Sequence, residues 1–114
     1  MPNAMRIFRF NSQEREVIIE ALLAFHQSRL LMNMDFPEIV RMTDRVRELS
    51  DRNGIYELRL RGQDDYDVVC KALDETVIKK KENKEPYDRT LDILLKAYNA
   101  PTPRELREQC AQAR

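Results

Sequence analysis

Few residues of this chain have types that could do chemistry beyond packing: one histidine, His26, two cysteines, Cys70 and Cys110, and an acidic group, Asp64, Asp65 and Asp67. Zinc is held by sets of four N, S or O ligands, usually in closely spaced pairs. Cys70 and Cys110 form no CxxC pair and have a single histidine for company, so no metal is expected. Both lie on apolar stripes of predicted helices, where a free thiol packs as a small hydrophobe. Unpaired thiols also suit a reducing cytoplasm. The three aspartates are hard oxygen ligands in principle. No glycine-bearing calcium loop follows them, however, and acids at a helix start are accounted for by free backbone amides and the helix dipole. With only Gly54 and Gly62, neither a Walker loop nor a dinucleotide turn can be assembled. His26 has no recognisable catalytic partner. The expectation is a protein that is not an enzyme and carries no cofactor.

Whatever this chain does, it must therefore do through surfaces, and composition limits those. Its 114 residues make one ordinary domain with one core, large enough to fold without metal or disulfide staples. Lys plus Arg number 20 and so do Asp plus Glu, interleaved along the chain. Neutrality argues against a dedicated nucleic-acid binder, whose affinity comes from excess positive charge facing phosphate. No stretch approaches the roughly 20 apolar residues of a membrane span, and no export signal opens the chain. A cytoplasmic protein is expected, of a size common among bacterial or phage accessory proteins. Patterning starts at Met5, so residues 1–4 read as either a loose leader or a non-native remnant.

Arg6 to Phe10 alternates as a short strand, with Arg6, Phe8 and Phe10 on one face and Ile7 and Arg9 on the other. Asn11 followed by Glu14 is a capping-box spacing, opening a helix that runs to about Leu31. Pro37 starts a second helix on Ile39, Met42, Val46 and Leu49, for which Asn53-Gly54 supplies a left-handed stop. A second strand spans Ile55 to Leu60, with Tyr56, Leu58 and Leu60 opposite Glu57, Arg59 and Arg61. Gly62 and Asp64-Asp65 then cap a helix bearing Val68, Val69, Ala72, Leu73, Thr76 and Val77. Its last turn carries Lys79, Lys80 and Lys81. Pro86 opens the next helix, with Tyr87, Leu91, Leu94, Leu95 and Tyr98 as its apolar side. Thr102 and Glu105 cap a short final helix with a thin stripe of Leu106, Cys110 and Ala113.

The two halves resemble each other. Phe8 and Phe10 match Leu58 and Leu60 at an offset of 50; Val17, Ile18, Ala21 and Leu22 match Val68, Val69, Ala72 and Leu73 at 51. Pro37, Met42, Val46 and Leu49 match Pro86, Leu91, Leu95 and Tyr98 at 49. The expected fold is α+β, mainly helical: two strand-helix-helix units, 5–54 and 55–100, sharing an antiparallel ribbon covered by helical hairpins. They form a single domain over 5–100, and 101–114 is a helical extension. A lone ribbon has two unpaired edges, which helices or a second chain must cover.

Two surfaces follow as candidates. Ile19, Leu23, His26 and Leu30 make a second apolar stripe on the first helix, absent from the matching helix, where Cys70 and Asp74 replace Ile19 and Leu23. Met32, Met34 and Phe36 extend it, and methionine adapts readily to a partner. This stripe predicts a homodimer or another protein partner, hence an interaction or regulatory module. The alternative is a nucleic-acid-associated regulator presenting Arg9, Arg59 and Arg61 from the outer ribbon face, although Glu57 shares that face and no aromatic lies there to stack on a base.

Overall fold

Period-two alternation in Arg6–Asn11 and Ile55–Leu60 produces two antiparallel strands, and 3.6-residue periodicity elsewhere produces five helices. The computed structural model describes residues 5–112. It contains, in chain order, β1 (Arg6–Asn11), α1 (Ser12–Leu31), α2 (Pro37–Glu48), β2 (Ile55–Leu60), α3 (Gly62–Glu82), α4 (Asp88–Tyr98) and α5 (Pro103–Gln112). The fold is mainly helical α+β. The leader or remnant read at 1–4, and the Cys110 and Ala113 side chains of the final stripe, lie outside what the structure describes.

The capping box at α1 forms with both halves in place: the Glu14 amide donates to Asn11 Oδ1 at 2.8 Å, and the Asn11 amide donates to Glu14 Oε1 at 2.9 Å. Such a cap satisfies two helix-end amides that would otherwise need water. At α5 the Glu105 amide donates to Thr102 Oγ1 at 3.2 Å. Asn53-Gly54 does not stop α2, which ends earlier at Glu48 with Leu49 already extended (φ −64°, ψ 141°). The pair instead makes a tight turn, with φ of 56° and 84°, between Arg52 and Ile55, whose backbones exchange hydrogen bonds at 2.8 and 3.1 Å. Two successive positive φ values are what a two-residue hairpin requires, so the signal was a turn into β2. Similarly, α4 begins at Asp88, two residues beyond Pro86.

Phe8, Phe10, Leu58 and Leu60 point from one ribbon face into the core and are essentially inaccessible to solvent. Against them pack Ile18, Leu22 and Phe25 of α1, Ile39, Met42 and Val46 of α2, Val69 and Leu73 of α3, and Ile93 and Leu94 of α4. The two helical hairpins touch through α1 and α3. Ile7, on the opposite strand face, is also buried. Its amide donates to the Pro101 carbonyl at 2.7 Å, because the segment leading into α5 lies along the β1 edge.

Phe8 sits directly across from Leu58 in the register, so the strand offset of 50 maps this pair onto itself. In the helices one offset, 51, aligns the buried positions. Ile18, Ala21 and Leu22 correspond to Val69, Ala72 and Leu73, and Ile39, Met42, Thr43 and Val46 to Thr90, Ile93, Leu94 and Ala97. This corrects the offset of 49 read for the second helices. Leu95 and Tyr98, taken from sequence as apolar-side residues, are exposed, while Ala97 and Thr90 are buried. Leucine types alone had misaligned the helix by about half a turn. The interhelical turns also recur at 51: Asn33 and Lys84 have φ of 58° and 57°. The Met34 amide donates to the Arg29 carbonyl as the Glu85 amide does to Lys80, at 2.9 and 2.8 Å.

Candidate interaction surface

The turn leaving α1 needs one residue in the left-handed region, and Asn33 supplies it at a tolerable cost for a side chain of its type. Reversal there brings the end of α1 beside the start of α2 and leaves a run of apolar side chains at the hairpin tip. Leu31 is 78 % exposed and Met32 53 %, while Leu23, Leu30, Met34 and Val40 are each a little over 40 % exposed. At the turn between α3 and α4, which has the same left-handed residue and closing hydrogen bond, the corresponding residues are Lys81, Glu82, Asn83 and Glu85. The same backbone thus carries charge in one half and exposed hydrocarbon in the other.

The predicted stripe divides in the structure. Ile19 is partly buried against the core, and so is Phe36. His26 is half-buried, and its Nδ1 is enclosed with no hydrogen-bond partner among the described residues. Leu23, Leu30 and Met34 face solvent. Sequence reasoning missed Leu31 and Val40. Leu31 follows Leu30 at the last position of α1, where no later turn covers it, and Val40 lies on α2 one position beyond the buried Ile39. Val40 can be recognised only by its position relative to the α2 stripe, once that stripe is fixed.

Arg9 and Arg59 do share the outer ribbon face, but the register sets Arg9 opposite Glu57. Glu57 lies 3.1 Å from Arg9 Nε and 4.0 Å from Arg59 Nε. One carboxylate therefore offsets charge on two of the three arginines, and Arg61 is the one without an ion pair among the described residues. Arg45, which the sequence did not single out, grips the β2 edge with a forked guanidinium. One arm donates to Asp65 Oδ2 at 2.8 Å and the other to the Arg59 carbonyl. Asp65 also accepts the Arg61 amide at 2.8 Å, which accounts for an acid in the first turn of α3 without a cation. Among the described residues no group of three or more His, Cys, Asp or Glu is arranged to hold a metal ion.

A concavity of about 800 Å³ lies on the outer side of the ribbon, bounded by β1, β2, the Ser50–Asn53 loop, the end of α4 and Leu106 of α5. Its floor is Ile7 and Ile55; Arg9, Arg52 and Lys96 carry positive charge around it and Glu57 negative. Elsewhere, Cys70 is a buried free thiol whose pKa burial pushes up to about 11. Burial likewise raises Tyr66, whose hydroxyl donates to the Tyr98 carbonyl at 3.0 Å, and raises Tyr98. A thiol held protonated in this way is a poor nucleophile. No described helix is long and apolar enough to cross a membrane.

No family model matches the chain, and neither a curated protein nor a solved structure is significantly similar to it.

Proposed function

We propose that the protein is a non-catalytic interaction module, a small regulatory or accessory protein of a reducing cytoplasm, that self-associates through the tip of its first helical hairpin. The observation carrying this reading is the contrast between two turns with matching backbone hydrogen bonds. Folding requires the turn backbone in both halves, yet only the first exposes Leu30, Leu31, Met32 and Met34, where the second carries Lys81, Glu82, Asn83 and Glu85. Contiguous apolar surface of this kind is uncommon on monomers and marks contact sites. A closed two-fold dimer is the commonest arrangement in which one patch meets its own copy. Ile19 and His26 lie beside the contact at the core margin, and Leu23 lies within it.

The nucleic-acid alternative has less support, because Glu57 sits between Arg9 and Arg59. Light scattering over a concentration series tests the reading. The wild type should pass from monomer to dimer, and Leu30→Asp with Met34→Asp should remain monomeric with an unchanged far-ultraviolet spectrum. A wild type that stays monomeric at millimolar concentration refutes self-association.

A further inference from the structure

Two arginine–tyrosine stacks tie the first half of the chain to the second. The Arg6 guanidinium of β1 lies over the Tyr66 ring of α3, 4.9 Å from its centroid, and the Arg15 guanidinium of α1 lies over the Tyr56 ring of β2 at 4.4 Å. They are one contact made twice. The register sets Arg6 opposite Leu60 and Phe10 opposite Tyr56, so the strand offset of 50 carries position 6 onto 56, and the helix offset of 51 carries 15 onto 66. Strand position meets helix position in both stacks, with the residue types exchanged. Both guanidiniums belong to the first half and both rings to the second.

The ion pairs at the ribbon edges show no such exchange. Arg45 pairs with Asp65 at 2.8 Å and Lys96 with Glu14 at 3.0 Å. Position 45 matches 96 and 14 matches 65, so each half carries one base and one acid. Either half would find that pair again in a copy of itself. The stacks would not survive such pairing: two first halves would set Arg6 of each copy against Arg15 of the other, and two second halves would set Tyr56 against Tyr66. Arg15 is the more exacting member, because its Nε is enclosed with no hydrogen-bond partner among the described residues. A second cation brought there would meet a guanidinium already short of hydrogen bonds.

We infer that the exchanged stacks are a pairing code: they hold the first half of a chain to a second half, its own or that of a second copy, and bar association of like halves. The need for one lies in the architecture. A single core is shared between the halves, through β1 with β2 and α1 with α3, so copies that meet while partly unfolded offer each other the surface that each must close within itself. Loss of one stack is worth about fivefold, and a like-paired interface, which loses two, is disfavoured about 25-fold before repulsion between arginines is counted. The Arg29–Glu75 pair also crosses between halves, and a first-half pair would lose it equally in every variant below.

The test starts from Leu30→Asp with Met34→Asp, which removes the hairpin-tip contact, so the outcome does not depend on that reading. Arg15→Tyr with Tyr56→Arg keeps both stacks within the chain but gives each half one arginine and one tyrosine, so that like halves can stack. Adding Arg6→Tyr with Tyr66→Arg reverses the types at all four positions and restores the code. Each protein is unfolded in urea and refolded at millimolar concentration, where a second copy competes with the tethered half. Size-exclusion chromatography with light scattering then gives the ratio of oligomer to monomer. The two-position exchange should raise that ratio about 25-fold or more over the parent, and the four-position exchange should return it to the parent value. Isotope-filtered NOEs between differently labelled copies should place β1 of one copy against β1 of another in the new oligomer. If Arg15→Tyr with Tyr56→Arg does not fold, Arg6→Tyr with Tyr66→Arg alone makes the same comparison. Equal ratios in all three proteins, contacts between β1 strands of two copies in oligomers of the parent, or a four-position exchange that oligomerises as much as the two-position one would each overturn the inference.

Discussion

Leu22 and Leu23 are neighbours on α1 with opposite surroundings, and truncating each in turn separates the part of the helix that holds the fold from the part left over. Leu22 is 0 % exposed, enclosed in the core that both hairpins share. Leu22→Ala removes buried methyl groups and leaves a cavity that packed helices only partly close, a loss of about 3 kcal/mol. For a domain of this size that lowers Tm by roughly 12–24 °C. Leu23 is 44 % exposed, so Leu23→Ala forfeits only partial contact, and the better helix propensity of alanine returns some of it. The net cost should stay below about 1 kcal/mol. Urea unfolding at low micromolar protein measures the monomer. Repeating it at high concentration adds any stability gained from association, a gain that Leu23→Ala should reduce and that Leu22→Ala should retain relative to its own monomer. Equal destabilisation by the two substitutions at the lowest concentration would show that the monomer encloses Leu23 and would refute the division of α1 into a core face and a contact face.

Other outcomes follow from single side chains. Asn11→Ala deletes the acceptor for the Glu14 amide and should cost about 1 kcal/mol, or roughly 4–8 °C in Tm, whereas Asn11→Asp should cost little. Burial keeps Cys70 protonated up to about pH 11 against 9 for the free thiol. The unfolded chain thus releases this proton first as pH rises, and stability should fall between pH 9 and 11 by roughly 2–3 kcal/mol from this group. Cys70→Ala should flatten that part of the profile, and a profile unchanged by the substitution would remove the assignment. The raised Tyr66 and Tyr98 act in the same direction and remain in both proteins.

The capping box at Asn11, the extent of α1 and the inward faces of both strands were legible in the sequence because each depends on neighbours within one turn or on strict alternation. Residues i to i+3 at a helix start, or i and i+2 in a strand, have few geometric options, so residue type settles them. The α4 stripe was misread for the converse reason. Tyr87, Leu91 and Leu94 of the expected side do pack with the core, but Leu95 and Tyr98 are exposed where Ile93 and Ala97 are buried, and either set is compatible with a helix. Which set turns inward depends on the crossing of α4 over α3, a relation between segments that local pattern does not contain.

The sequence by itself determined the element types, the asymmetry between the two halves and the presence of surplus apolar residues at the end of α1. Tertiary structure alone decided which of those residues are surplus: Ile19 and Phe36 sink against the core while Leu31 and Val40 emerge. It also decided that Glu57 falls between two arginines and that Arg45 reaches a strand carbonyl where Lys96 pairs with Glu14. Each of these outcomes rests on residues far apart in the chain being brought within a few ångströms, and such distances are fixed by packing of the whole core and not by any local spacing.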